Sequence, residues 1–145
     1  MRKLILAPLM VLLLCSGSTA AADDLTGADR FLCTPIQATL CVEDGECAVD
    51  LPWNVNIPQF IVVVLKARRL ATTEASGENR QTAIEHLRRV DGSIVFHGFE
   101  MGRAFSWVID EPSGRVTAAI ATDGISVAIF GACTPVAGDG KESTR

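Results

Sequence analysis

The cysteines of this 145-residue chain constrain its fold more than any other feature. The tripeptide Cys-Thr-Pro occurs twice, as Cys33-Thr34-Pro35 near the start and as Cys133-Thr134-Pro135 near the end. In each copy the proline disfavours helical geometry at the preceding threonine, so both copies are expected on extended backbone. Such segments suit neighbouring first and last strands of one domain.

The two remaining cysteines of the expected domain predict a hairpin. A three-residue loop with a glycine in its third position, 43–45, sets Cys41 directly opposite Cys47, within disulfide reach. Four cysteines allow three connectivities, and this spacing ranks Cys41–Cys47 first, which leaves Cys33 to pair with Cys133. No C-x-x-C is present and all four cysteines can pair, so structural disulfides are expected rather than redox or metal chemistry.

The segment 1–22 has the features of a signal peptide. Two positive residues precede an apolar stretch, 4–14, that is too short to span a hydrocarbon core of roughly 30 Å. Small residues then offer a cleavage site, which we place after Ala22. A lipoprotein acylated at Cys15 is not expected, because Leu14 is larger than the residue such a site needs. Export to the periplasm or out of the cell agrees with the even cysteine count.

Removal of 22 residues leaves 123, enough for one domain with its own core. We expect a single β domain over 23–137 and a polar tail over 138–145. Without Arg2 and Lys3 the chain has eleven basic and 17 acidic residues, a net charge of −6. This charge argues against nucleic acid and anionic membranes as partners, and no second apolar run reaches membrane length. The sequence does not indicate an oligomeric state.

Short apolar runs separated by glycine turns predict an all-β fold. Turns are expected at 91–92, 101–102, 112–114 and 123–124, at roughly ten-residue spacing. The pattern indicates an antiparallel meander of eight to nine strands. Such a meander must close on itself or form a sandwich to protect its edges, so we expect a barrel-like, disulfide-bonded sheet.

The turn at Asp123-Gly124 predicts a strand register. A two-residue turn pairs Ile120 with Val127 and Ala118 with Ile129 on one apolar face, and leaves smaller residues on the other. The segment 103–110 alternates less cleanly: one face has Phe105, Trp107 and Ile109, and the other has Ala104, Ser106 and Val108.

Aromatic residues suggest either a packed core or a cavity for a small apolar ligand. In the second interpretation we assign ligand contact to four of them: Trp53, Phe96, Phe105 and Trp107.

Metal sites are less well supported. The turn at 91–92 sets His86 opposite His97, with Cβ atoms about 5 Å apart, but no third ligand accompanies them. The acidic residues of 43–50 lack the ligand spacing of an EF-hand and are expected at a solvated hairpin tip. The sequence therefore predicts no metal and no cofactor.

Four arginines lie on neighbouring predicted strands and could form either an anion site at the barrel mouth or exposed ion pairs. They are Arg88, Arg89, Arg103 and Arg115.

Catalytic patterns are missing from the sequence. It has no G-x-S-x-G, no tyrosine and no cysteine left free as a nucleophile, and Ser76 has no identifiable base. We therefore expect a protein that is not an enzyme.

The segments 52–60 and 130–135 resemble a family of small exported proteins of Gram-negative bacteria, a resemblance that implies export and transfers no site. The segment 74–80 is similar, through Ala75-Ser76-Gly77, to the Ser-rich loop of the periplasmic inhibitors of C-type lysozyme. That second resemblance implies a protein inhibitor with Ser76 and Arg80 at its contact, although the inhibitors' Trp-Lys-Gly segment has no counterpart.

The sequence as a whole thus favours a non-enzymatic binding module for a small apolar ligand or an envelope component. The alternative is a protein–protein inhibitor that acts through the Ser76-Gly77 loop on an envelope or secreted partner.

Overall fold

A computed structural model of the chain describes residues 23–136, which form an all-β domain. The expected signal peptide over 1–22, Cys15 and the polar tail over 138–145 lie outside the described residues. The strands are β1 Arg30–Val42, β2 Cys47–Asp50, β3 Ile61–Val64, β4 Arg69–Thr72, β5 Gln81–Ala83, β6 His86–Val90, β7 Ser93–Glu100, β8 Arg103–Asp110, β9 Arg115–Thr122 and β10 Ile125–Pro135. Short 3₁₀ helices cover Pro52–Val55 and Glu74–Ser76.

All ten strands belong to one antiparallel sheet, as the sequence predicts. Its order is β5-β4-β3-β1-β10-β9-β8-β7-β6, and β2 pairs with β1 off this path. The two outermost strands, β5 and β6, follow each other in the chain and are separated only by Ile84 and Glu85. The sheet therefore curls like a barrel, and its two edge strands are joined by one continuous stretch of chain.

The backbone of that stretch is held on both sides. The N–H of Ile84 donates to the carbonyl of Arg68, which precedes β4, at 2.8 Å, and the N–H of Glu85 donates to the carbonyl of His97 in β7 at 3.0 Å. A side chain at Gly98 would have its Cβ 2.7 Å from the carbonyl oxygen of Ala83, so β5 lies directly against β7 here. We call this meeting of β5 and β7 the seam.

Turn geometry and apolar alternation explain the paired strands. β9 and β10 pair Ile120 with Val127 and Ala118 with Ile129, which confirms the register predicted from the Asp123-Gly124 turn. In β8 the residues of one face, among them Trp107, are buried while their neighbours are exposed. This period of two places one side of β8 toward the core.

The β1–β10 pair is the longest in the sheet. It aligns Cys33 with Cys133, and these two cysteines form a disulfide. The second disulfide joins Cys41 to Cys47 across the β1–β2 hairpin. The predicted connectivity is therefore confirmed.

The segment before β1 is mostly polar but contributes one residue to the core. Leu25 is fully buried, and its N–H donates to the carbonyl of Glu111 at 2.8 Å. Glu111 is itself buried and forms an ion pair with Arg89 at 2.9 Å. Because Glu111 directly follows β8, this segment covers the end of the sheet at which β8 finishes and β9 begins.

Removing the two disulfides should destabilise the protein unequally. The chain-entropy model assigns about 4.7 kcal/mol to a loop of roughly 100 residues and about 2.4 kcal/mol to one of roughly seven. The double substitution Cys33→Ala/Cys133→Ala should thus lower the free energy of unfolding about twice as much as Cys41→Ala/Cys47→Ala. Urea denaturation of the two variants measures this difference, and equal losses would contradict it.

Adding a methyl group at the seam should also be destabilising. In Gly98→Ala the new Cβ meets the Ala83 carbonyl and the ring of Phe105, both at 2.7 Å, so β5 or β8 must move. We expect a loss of about 1–3 kcal/mol, typical of an overpacked site. His97→Ala, at the exposed neighbouring position, is the control and should change the thermal midpoint little.

Candidate functional site

A pocket opens into the barrel at the end where β7 turns into β8, opposite the end covered by Leu25. Its wall is mainly apolar and is built by strands from both sides of the seam. It includes Ile61, Leu70, Phe105, Trp107, Ile120 and Ile129. The cavity volume is about 60 Å³. Because a cavity of roughly 150 Å³ accommodates benzene, this one encloses only a short aliphatic segment, such as the end of a longer chain.

Polar side chains from both sides of the seam form the mouth of the pocket. Arg80, just before β5, donates from Nη2 to Oε2 of Glu100 at 2.8 Å. Thr82 in β5 donates from its hydroxyl to the other oxygen of Glu100 at 2.6 Å. The fourth residue of the mouth is Arg103, which lies opposite Glu100 in the strand register across the β7–β8 turn.

The ionisation of this cluster reflects a competition between burial and pairing. For Glu100, burial is the largest single influence and favours the neutral acid. Hydrogen bonds from Thr82 and Arg80, together with the charges of Arg80 and Arg103, outweigh it and lower the pKa. For Arg80, burial likewise opposes the charge, but pairing with Glu100 and Glu78 raises the pKa. The Arg80–Glu100 pair is therefore ionised at neutral pH.

Hydrogen-bond donors exceed acceptors at this mouth. Both carboxylate oxygens of Glu100 accept a bond, whereas the buried Nε of Arg80 has no partner. Arg103 forms no ion pair within 4.0 Å with any residue between 23 and 136. A polar group that enters the mouth thus finds donors and positive charge available.

The four aromatic residues expected at a ligand site are only partly brought together. Phe105 and Trp107 line the pocket. Phe96 is buried behind them and stacks on Trp107 with ring centroids 5.4 Å apart. Trp53 lies on the first 3₁₀ helix, is 49% exposed and does not line the pocket.

The histidine pair lies where the turn register predicts. His86 and His97 are cross-strand partners with stacked rings whose centroids are 4.6 Å apart, and both are exposed. The acidic residues of 43–50 are exposed around the β1–β2 hairpin. Over residues 23–136 no three potential ligands come close enough to hold a metal ion.

The four arginines do not form one anion site. Arg103 lies at the pocket mouth, but Arg89 pairs with Glu111 at the opposite end of the sheet. Arg115 begins β9, also at that opposite end, and donates from Nε to the hydroxyl of Ser113.

The two residues expected at an inhibitory contact have different surroundings. The hydroxyl of Ser76 accepts from the N–H of Phe60 and donates to its carbonyl, both at 3.0 Å. It therefore fastens its loop to the residue before β3. Arg80 instead belongs to the pocket mouth.

Sequence reasoning missed Glu100 and Thr82 as site residues. They lie 18 positions apart, and only the curling of the sheet brings them into contact. The one available signal was their position at the ends of predicted strands, which does not identify a partner.

Comparison of the chain with protein-family models and with curated proteins found no match. The part of the chain that the structure describes has no helix of the length and apolar character needed to cross a membrane.

The lowered pKa of Glu100 predicts a pH dependence of stability. A carboxyl whose pKa is lower in the folded state stabilises the fold above its ordinary value of 4.5, and this contribution is lost as pH falls through the lowered pKa. Glu100→Gln should therefore lower stability at neutral pH and reduce its further fall in acid. Urea midpoints measured over this range test the prediction.

Glu74→Gln, an exposed substitution outside the pocket, is the control for that experiment. Its stability should fall in acid as the wild-type stability does. If the stability of Glu100→Gln also falls in acid as in the wild type, the lowered pKa of Glu100 is contradicted.

Proposed function

We propose that this protein is an exported, non-enzymatic binding module that holds a small apolar group in the pocket at the β7–β8 end of the barrel. The observation that carries the proposal is the wall, on which Phe105, Trp107 and the aliphatic side chains face one cavity. A concave apolar surface with a few convergent polar groups is typical of small-molecule sites.

The two ends of the barrel support the same proposal. Leu25 fills the end beside Glu111, whereas the pocket end is bordered by side chains of Arg80, Glu100 and Arg103. The apolar wall is therefore reached from the pocket end, past these three side chains.

The proposed location is the periplasm or the cell exterior. It is supported by the signal-peptide features of 1–22 and by the two disulfides, which persist in oxidising compartments. In the inhibitor alternative, the hydroxyl of Ser76 would contact the partner while it donates to the carbonyl of Phe60 and accepts from its N–H, or it would have to release these bonds.

Binding can be measured with hexanol, a small apolar probe, through the fluorescence of Trp107. Trp53→Phe removes the other tryptophan, which lies outside the pocket, and leaves Trp107 as the single emitter. We expect a saturable change in emission on addition of hexanol.

Ile120→Phe, in the same Trp53→Phe background, should abolish that change because the larger ring fills the pocket. Ala119→Phe adds the same ring at the exposed neighbouring position and should leave binding intact. Emission that never saturates, or that saturates equally in Ile120→Phe, would overturn the proposal.

A further inference from the structure

The mouth of the pocket indicates the chemistry of its ligand. We propose that the pocket binds a small anionic amphiphile, a short-chain carboxylate, whose head contacts Arg103 and Arg80 and whose aliphatic tail enters the apolar wall. This inference rests on the proposed function and names its ligand class.

The carboxylate of Glu100 is already engaged within the chain. Each of its oxygens accepts one hydrogen bond, from Thr82 at 2.6 Å and from Arg80 at 2.8 Å. The charge of Glu100 is balanced by Arg80, and its lowered pKa keeps this pair ionised. A cationic ligand would therefore meet a carboxylate that already has a cationic partner, beside the second guanidinium of Arg103.

Arg103, by contrast, is a cation with no ion pair among the described residues, and it lines the same pocket. Two arginines and one carboxylate line the pocket, and Glu78 also pairs with Arg80 from outside the lining, so Arg103 is the lining cation without a direct ion pair. A guanidinium can bind a carboxylate with two parallel hydrogen bonds, which makes a carboxylate a good match for Arg103.

Arg80 supplies a second donor. Its Nε is buried and unpartnered, while its two terminal nitrogens bond Glu100, Glu78 and the carbonyl of Asn56. A buried N–H without an acceptor is unfavourable, and a shift of the Arg80 side chain would let a ligand oxygen at the mouth satisfy it.

The volume of the pocket limits the tail. A cavity of about 60 Å³ encloses the end of an aliphatic chain, so the carbons nearest the head lie in the open mouth, and the acyl chains of a membrane lipid are excluded from full enclosure. The apolar wall and the donor-rich mouth are adjacent, so one ligand spans both.

The test compares three probes of equal chain length in the Trp53→Phe background: hexanoate, hexanol and hexylamine. The fluorescence of Trp107 reports binding at low ionic strength. We expect hexanoate to bind about tenfold more tightly than hexanol, the order of a charge-assisted hydrogen bond, and hexylamine to bind more weakly. Added salt should reduce the preference for hexanoate, because the head lies in the partly exposed mouth.

Arg103→Gln should lower hexanoate affinity about tenfold and remove the preference over hexanol. Arg103→Lys keeps the charge and should keep part of the preference for hexanoate over hexanol. It provides a second measurement if the glutamine variant fails to fold. Arg115→Gln, at the opposite end of the barrel, is the matched control and should bind hexanoate like the parent.

Two outcomes would overturn the inference, and they differ in what they imply. If hexanol or hexylamine binds as tightly as hexanoate, the pocket takes apolar groups but does not recognise an anion, and the proposed function stands. If none of the three probes alters the fluorescence of Trp107, the proposed function fails as well.

Discussion

The pairing of β1 with β10 is the constraint on which the rest of the structure depends. The strands on one side of this pair, β3 to β5, and those on the other, β6 to β9, are joined through it along the sheet. The Cys33–Cys133 disulfide lies within the pair and ties the ends of the domain together in the unfolded chain as well. The β1–β10 pair therefore fixes the relative position of the two halves of the sheet, whose outer strands meet at the seam.

The seam gives the barrel different properties at its two ends. At the β8–β9 end Leu25 is buried and its N–H bonds to the carbonyl of Glu111, whose buried side chain pairs with the more exposed Arg89. At the other end, charged residues meet where β5 lies against β7. The Arg80–Glu100 contact thus has two roles, since it links the strands at the seam and also forms the mouth of the pocket. Half-buried pairs of this kind add little net stability, because desolvation offsets much of their attraction, so their position matters more for the site than for the fold.

A pocket of this construction separates two kinds of recognition. The apolar wall selects for aliphatic or aromatic groups of limited size, and the arginines at the mouth select for charge. Binding to the wall is not directional, whereas the guanidinium groups impose a geometry on whatever they contact. The combination favours ligands that are small and have one polar end.

The sequence by itself determined the features that depend on local geometry. The Asp123-Gly124 turn set the β9–β10 register, the spacing of Cys41 and Cys47 set the hairpin and hence both disulfides, and the alternation in β8 set which of its residues share a face. Each follows from a turn type or from the period of two along a strand. Only the tertiary structure decided that Leu25 is buried, that Arg80 and Thr82 meet Glu100, and that Trp53 lies outside the pocket while Trp107 lines it. These contacts depend on the twist and curl that accumulate from strand to strand across the sheet. A small change in the twist of each strand shifts the residues at the seam without altering any local sequence pattern.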